Sequence, residues 1–184
     1  WNKGLKLVIS LDKLDLVAFF FRKGADWVDS LIYASETGNR KVTYALAQFV
    51  PPPLDKDTQE SNAEYWSRIA MYGTAKGGHL ELLQELVRIS PKNRYCNPFD
   101  LAVYGAVLGG HRDAVEFIVS QRTTCDRFTE YWGLLAARRS ENEEMKQRFA
   151  EKGKAQSQRL RQEPLDPLQS LRHRAKLQML IEVD

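Results

Sequence analysis

Three stretches of the chain repeat one pattern: SETGNRKV, AKGGHLELLQELV and VLGGHRDAVEFIV. In each, a run containing small residues ends at a glycine, and the run that follows returns its apolar residues at the helical period. The spacing predicts a helix, a tight turn and a second helix, three times over. Neither helix of such a pair can bury its apolar side alone, so the pairs must stack on one another. This recurrence excludes most folds before any other property is considered.

With Gly38, Gly78 and Gly110 as anchors, the agreement extends outward. Leu31, Met71 and Val103 lie seven residues before the anchor, and Ala34, Thr74 and Ala106 lie four before. Asn39, His79 and His111 follow it directly. Val42, Leu82 and Ala114 lie four after, and Leu46, Leu86 and Ile118 lie eight after. A fainter copy opens the chain around Asp12, with Leu5, Val8, Leu16 and Phe20 at the corresponding places. The anchors at 12, 38, 78 and 110 are 26, 40 and 32 residues apart, so the pairs keep register while the connections vary. The small residues have a physical task. Two helices approach closely only where the contact line lacks bulk, and a glycine before the second helix supplies a backbone shape that other residues resist.

At these residues the chain resembles the ankyrin repeat, most clearly in GGHLELLQELV, GGHRDAVEFIV and LDLVAFFFRKGAD. The resemblance covers roughly Leu5 to Gln121, with a fifth, decayed copy near Trp132 whose anchor would fall at Arg138. The family's T-P-L-H opening is missing. Its proline and histidine places hold Ser30 and Ile32, Ala70 and Tyr72, and Ala102 and Tyr104, so plain loops are expected in place of β-hairpin fingers. Degenerate repeats with a YASETGN-like core are most similar to those of large DNA viruses. The resemblance implies an all-α solenoid of stacked helix pairs that binds another protein on its concave face, in the cytoplasm of a host cell if the chain is viral.

Local signals place the helix ends. Asp29 or Ser30 can cap the first helix of the second pair, Gly24 suits a left-handed cap after the helix Leu14 to Phe21, and Val50-Pro51-Pro52-Pro53 stops another helix. Ser61-Asn62-Ala63-Glu64 and Ser140-Glu141-Asn142-Glu143 fit capping boxes, and Asn97-Pro98 fits a cap followed by proline at the first helical position. The segment Pro51 to Glu60 reads as an inserted surface loop in preference to a binding finger. The solenoid is assigned to residues 1–139 and charged C-terminal helices to residues 140–184, the last of them a capping helix over 167–182. The helix Leu14 to Phe21 is apolar almost all round, where a terminal repeat should show a polar face. Either further repeats precede it, or its phenylalanines pack under neighbouring loops.

The chain offers little marked chemistry. Its 184 residues suit one domain, and the net charge of +3 does not demand a nucleic-acid partner. Cys96 and Cys125 lack metal-ligand spacing and read better as reduced thiols than as a disulfide. No run reaches transmembrane length, and no signal peptide is recognisable, which points to an intracellular protein. No metalloprotease, nucleophile-elbow or phosphate-loop motif occurs, so no catalytic residue, cofactor or metal is assigned and an enzyme is not expected. The resemblance gives His79 and His111 a structural role, bonding to backbone between repeats.

The same resemblance marks the two residues before each anchor as surface-variable: Glu36 and Thr37, Lys76 and Gly77, and an exposed Leu108 with Gly109. With the inner-helix aromatics Tyr72 and Tyr104, the expected partner-binding set is Glu36, Thr37, Tyr72, Lys76, Tyr104 and Leu108. Aromatics along these helices, Tyr65, Trp66 and Phe99 among them, are more often core than contact anchors. From Lys146 to Lys176 nine cations face three carboxylates. That tail, with Arg159, Arg161, Arg172, Arg174 and Lys176, reads first as a solvated helix face. The alternative is a structural subunit of a large assembly whose tail lies on nucleic acid or an acidic neighbour.

Overall fold

The computed structural model describes residues 2–49, 61–90, 99–121, 127–140 and 142–149. The loop at 51–60, Asn97-Pro98, both cysteines, the basic tail and the capping helix over 167–182 lie outside them. The described residues are all-helical, with no strand among them.

The helices are α1 (Asn2–Ser10), α2 (Leu14–Arg22), α3 (Trp27–Glu36), α4 (Arg40–Ala47), α5 (Asn62–Lys76), α6 (Leu80–Ile89), α7 (Phe99–Gly109), α8 (Arg112–Ser120), α9 (Arg127–Arg139) and α10 (143–149). They pack in consecutive pairs, α1 with α2, α3 with α4, α5 with α6 and α7 with α8. The first helices also lie side by side, α1 on α3, α3 on α5, α5 on α7 and α7 on α9.

One backbone conformation recurs at every anchor. Gly38, Gly78 and Gly110 have φ of +72°, +74° and +76°, and Asp12 takes +56° without being glycine. After each anchor turn an amide reaches back five residues: Asn39 to Ala34, His79 to Thr74 and His111 to Ala106. Each of these amides satisfies a carbonyl that the helix end would leave unpaired. Ala34, Thr74 and Ala106 are wholly buried, as are Leu31, Met71 and Val103 one turn earlier. The second helices bury two consecutive positions, Val42 with Thr43, Leu82 with Leu83 and Ala114 with Val115. In the first pair only the later of the two, Val17, is buried, and Leu16 is 42% exposed.

Close approach between neighbouring first helices rests on glycine. A Cβ on Gly73 would meet the Ile32 carbonyl oxygen at 2.7 Å and overlap the Ser35 hydroxyl, and one on Gly105 would overlap the Tyr72 carbonyl oxygen. Backbone can therefore lie on backbone at these two crossings.

Three expected helix starts are settled by hydrogen bonds. The Ser61 capping box forms, with the Glu64 carboxylate accepting from the Ser61 amide at 2.7 Å and the Ser61 hydroxyl accepting from the Glu64 amide at 3.3 Å. The cap of α3 is Asp26 and not Asp29 or Ser30. Its carboxylate accepts the Asp29 amide at 2.8 Å, and the helix begins three residues before Ser30. The cap of α10 is Asn142 and not Ser140, with its Oδ1 accepting the Met145 amide at 3.1 Å, just as Asn39 Oδ1 accepts the Val42 amide.

That last cap relocates the fifth copy. The Asn142 amide reaches back five residues to the Ala137 carbonyl, as Asn39, His79 and His111 do in their pairs. Asn142 therefore occupies the place after the anchor, and the anchor falls three residues later than Arg138. In this register Met145 and Phe149 take the inner places of the second helix, and both are buried. Gly133 comes to correspond to Gly4. A Cβ on Gly133 would overlap the Phe149 ring, and a Cβ on Gly4 would overlap the Phe20 ring. The first and last pairs thus share a glycine–phenylalanine contact. The division at residue 139 falls between two helices that pack together.

Candidate functional site

The candidate face is built by the first helices and the turns that follow them. Tyr72 and Lys76 lie one turn apart on α5, and Tyr104 and Leu108 lie one turn apart on α7, so each pair shares a helix face. The side-by-side packing of α3, α5, α7 and α9 aligns these faces into two rows.

The first row is aromatic. The Tyr72 and Tyr104 rings stack at 6.3 Å with 23° between their planes. Tyr104 meets the edge of Trp132 at 5.9 Å and 86°. Arg139 Nη1 donates to the Tyr104 hydroxyl at 2.7 Å, which places an exposed guanidinium beside the tyrosine pair. Both tyrosines are half-buried and Trp132 is buried. The tyrosines rest on the core and still present part of each ring to solvent. Such aromatic pairs contribute roughly 0.5–1.5 kcal/mol beyond the area they bury.

The second row is ionic and lies at the helix ends. Lys76 Nζ stands 3.4 Å from Glu36 Oε1, and both side chains are about one-third exposed. An ion pair of that exposure holds less than about 1 kcal/mol. Its position is fixed by the backbone beneath. His79 Nε2 lies 2.9 Å from the Glu36 carbonyl oxygen. A carbonyl only accepts, so His79 carries its proton on Nε2 and donates. A Cβ on Gly77 would overlap that same carbonyl, and a Cβ on Gly109 would overlap the carbonyl of Lys76. The His79 ring lies against Gly38, and the His111 ring against Gly78. Each turn is thereby keyed to the turn before it.

Of the six residues expected to bind a partner, four come together: Tyr72 with Tyr104, and Glu36 with Lys76. Thr37 is exposed, but its hydroxyl donates to the carbonyls of Tyr33 and Ala34 at 2.9 and 3.1 Å, so it is occupied in closing α3. Leu108 is not the exposed residue that the resemblance implied. It is half-buried and packs against the core, because α7 is apolar almost all round and lies between α5 and α9. Gly77 and Gly109, marked surface-variable by the same resemblance, are held by the carbonyls above and have no space for a side chain. The sequence reading left out Trp132 and Arg139. Trp132 reaches the row because α9 packs on α7, and nothing local signals that Arg139 reaches across to α7. The tail residues Arg159, Arg161, Arg172, Arg174 and Lys176 lie outside the described residues.

The second helices form a different surface. An open groove of about 890 Å³ runs beside α4 and α6, lined among others by Arg40, His79, Glu85 and Arg88. Three of its polar groups, Arg40, Glu85 and His79, are engaged. Arg40 Nη2 donates to Glu85 Oε1 at 2.7 Å, and His79 is held by the Glu36 carbonyl. Beside the groove Tyr44 meets Trp66 at 6.1 Å, and burial, then the nearby Glu85 carboxylate, raises the Tyr44 phenol above its ordinary range. Among the described residues no three His, Cys, Asp or Glu side chains come together as metal ligands. No described helix is long and apolar enough to cross a membrane.

Comparison with protein-family models, with curated proteins and with solved structures finds no match.

Proposed function

We propose that the chain is an ankyrin-like solenoid of helix pairs that binds another protein on the face carrying Tyr72, Tyr104, Glu36 and Lys76. The observation behind this reading is the half-exposed tyrosine stack with Arg139 at its end. Tyrosine, tryptophan and arginine are the residues that most often anchor protein interfaces, and here they are pre-ordered by stacking and by keyed turns, which reduces the ordering cost of association. The ion pair beside the stack supplies a polar rim. The reading is of a non-enzymatic scaffold. The likeness of its repeats to those of large DNA viruses makes a host signalling or ubiquitin-ligase protein the partner to look for.

The test is a pull-down from cell lysate with the full chain, with Tyr72→Ala/Lys76→Glu, and with a version ending after Phe149, washed at low and high salt. A partner kept at high salt by the full chain and the shortened version, and lost by the double variant, supports the reading. Retention by the double variant removes this face from the interface. Binding lost with the tail or with salt moves the function to the basic segment.

A further inference from the structure

Two residues before each anchor the first helices end on Glu36 in α3, Lys76 in α5, Leu108 in α7 and, in the register set by Asn142, Arg139 in α9. The charges of this row are met differently. Lys76 Nζ lies 3.4 Å from Glu36 Oε1, so each offsets the other. Arg139 meets a neutral group, since its Nη1 donates to the Tyr104 phenol at 2.7 Å. Among the described residues no carboxylate pairs with it. The acids of the two helices that carry the tyrosines are withdrawn from the surface: α5 has only Glu64 and α7 only Asp100, and both are buried.

A guanidinium has five N–H donors, and the phenol takes one of them. The bond to Tyr104 also holds the group in place, so a ligand that uses the remaining donors meets a planar fork already oriented. A carboxylate matches that fork with two parallel hydrogen bonds. Next to it the half-buried Tyr72 and Tyr104 rings, with Leu108 one turn along from Tyr104, offer an apolar floor. Charge then selects among occupants. One uncompensated cation is too few for a polyanion, whose binding rests on releasing several counterions. The Glu36 carboxylate at Lys76 opposes the second negative charge of a phosphate. The chain's own stretch from Lys146 to Lys176 has nine cations against three carboxylates, so its excess charge has the sign of Arg139.

We propose that the tyrosine face takes an acidic segment of its partner protein, with a carboxylate on Arg139 and a neighbouring apolar side chain on the Tyr72 and Tyr104 rings. This rests on the reading of the face as the interface and adds the chemistry of what it binds.

The probe is a phage-displayed library of random peptides of about twelve residues, enough to cross the face at roughly 3.3 Å per extended residue. Selection on the full chain is followed by a screen on Tyr72→Leu, which keeps bulk and loses the ring. Clones that fail on this variant are the ligands of the face. They are enriched in aspartate and glutamate over the starting library. Their synthetic peptides bind Arg139→Gln at least about tenfold more weakly in fluorescence anisotropy. Arg112→Gln, which removes an equal charge from α8, leaves their affinity unchanged. Arg139 is exposed, so Arg139→Gln keeps the thermal transition of the wild type. Should that transition move, Tyr104→Phe, which keeps the ring and removes the hydroxyl that holds the guanidinium, must weaken the same peptides by about threefold or more. Face-dependent peptides that are neutral or basic, or that bind Arg139→Gln as well as the full chain, overturn this inference and leave the interface reading standing. Equal losses in Arg139→Gln and Arg112→Gln overturn it as a response to overall charge. So does a phosphoserine peptide that displaces these ligands through Arg139 at lower concentration than its aspartate equivalent. A selection in which no clone depends on Tyr72 overturns both the inference and the reading beneath it.

Discussion

The centre of the stack and its first pair follow one register and reach different surfaces. In α5 to α8 the anchors are glycines, the positions five and one before each anchor are glycines packed on the previous pair, and both consecutive inner positions of each second helix are buried. In α1 and α2 the anchor is Asp12, those two positions hold the exposed Leu7 and Leu11, and only one inner position is buried. A shared helix-turn-helix backbone therefore does not imply a shared role for its residues. Whether a side chain is core or surface depends on whether a neighbour lies against that side.

The comparison can be broken most forcefully in the second helices. Leu83→Ala removes a fully buried side chain and is expected to cost about 3 kcal/mol. Leu16→Ala, one place earlier in the first pair, is expected to stay within about 0.5 kcal/mol. Urea denaturation of both variants checks the pair, and similar losses would mean that Leu16 is core. Next come the facing positions. Gly105→Ala puts a methyl group into the Tyr72 carbonyl and is expected to cost about 2 kcal/mol, despite alanine's better helix propensity. Leu7→Ala at the equivalent place is expected to be near neutral by the same measurement.

The anchors sharpen the contrast at smaller scale. Gly78→Ala forces a side chain to φ +74° beside the His111 ring and is expected to lower stability by about 1–2 kcal/mol. Asp12→Gly relieves the same strain and should raise stability in urea denaturation slightly, by about a few tenths of a kcal/mol. The smallest effect is electrostatic. Its hydrogen bond to Arg112 at 2.9 Å, with the nearby cations, holds Glu116 below the usual carboxylate range. A depressed carboxylate adds stability above its unfolded pKa and loses it as pH falls through the folded one. The melting temperatures of the wild type and Glu116→Gln should therefore differ most near neutral pH and converge in acid, and added salt should shrink the gap.

Much of this arrangement was legible before any coordinates. Anchors, small residues and helical spacing located four pairs, because a helix pair needs a turn residue, a contact line without bulk and an apolar stripe, and each leaves a local mark. Ser61 and Glu64 were readable as a cap for the same reason. The fifth pair was misregistered by three residues, since its anchor is not glycine and Ser140 imitates a cap that Asn142 makes. At the candidate face Tyr72, Tyr104, Glu36 and Lys76 were legible from their places in the repeat. Leu108, Gly77 and Gly109 were not, because contact with the preceding turn is a property of stacking.

By itself the sequence determined paired helices, the anchors of the first four pairs, and most of the residues that line their inner sides. Those are consequences of spacing within some thirty residues. Only the tertiary structure decided that Arg139 joins Tyr104, that α10 completes a fifth pair through Met145 and Phe149, and that Leu7, Leu11 and Phe19 face outward. Each of these depends on which helix lies beside which, and burial between neighbours is set by distances the chain's own periodicity does not encode.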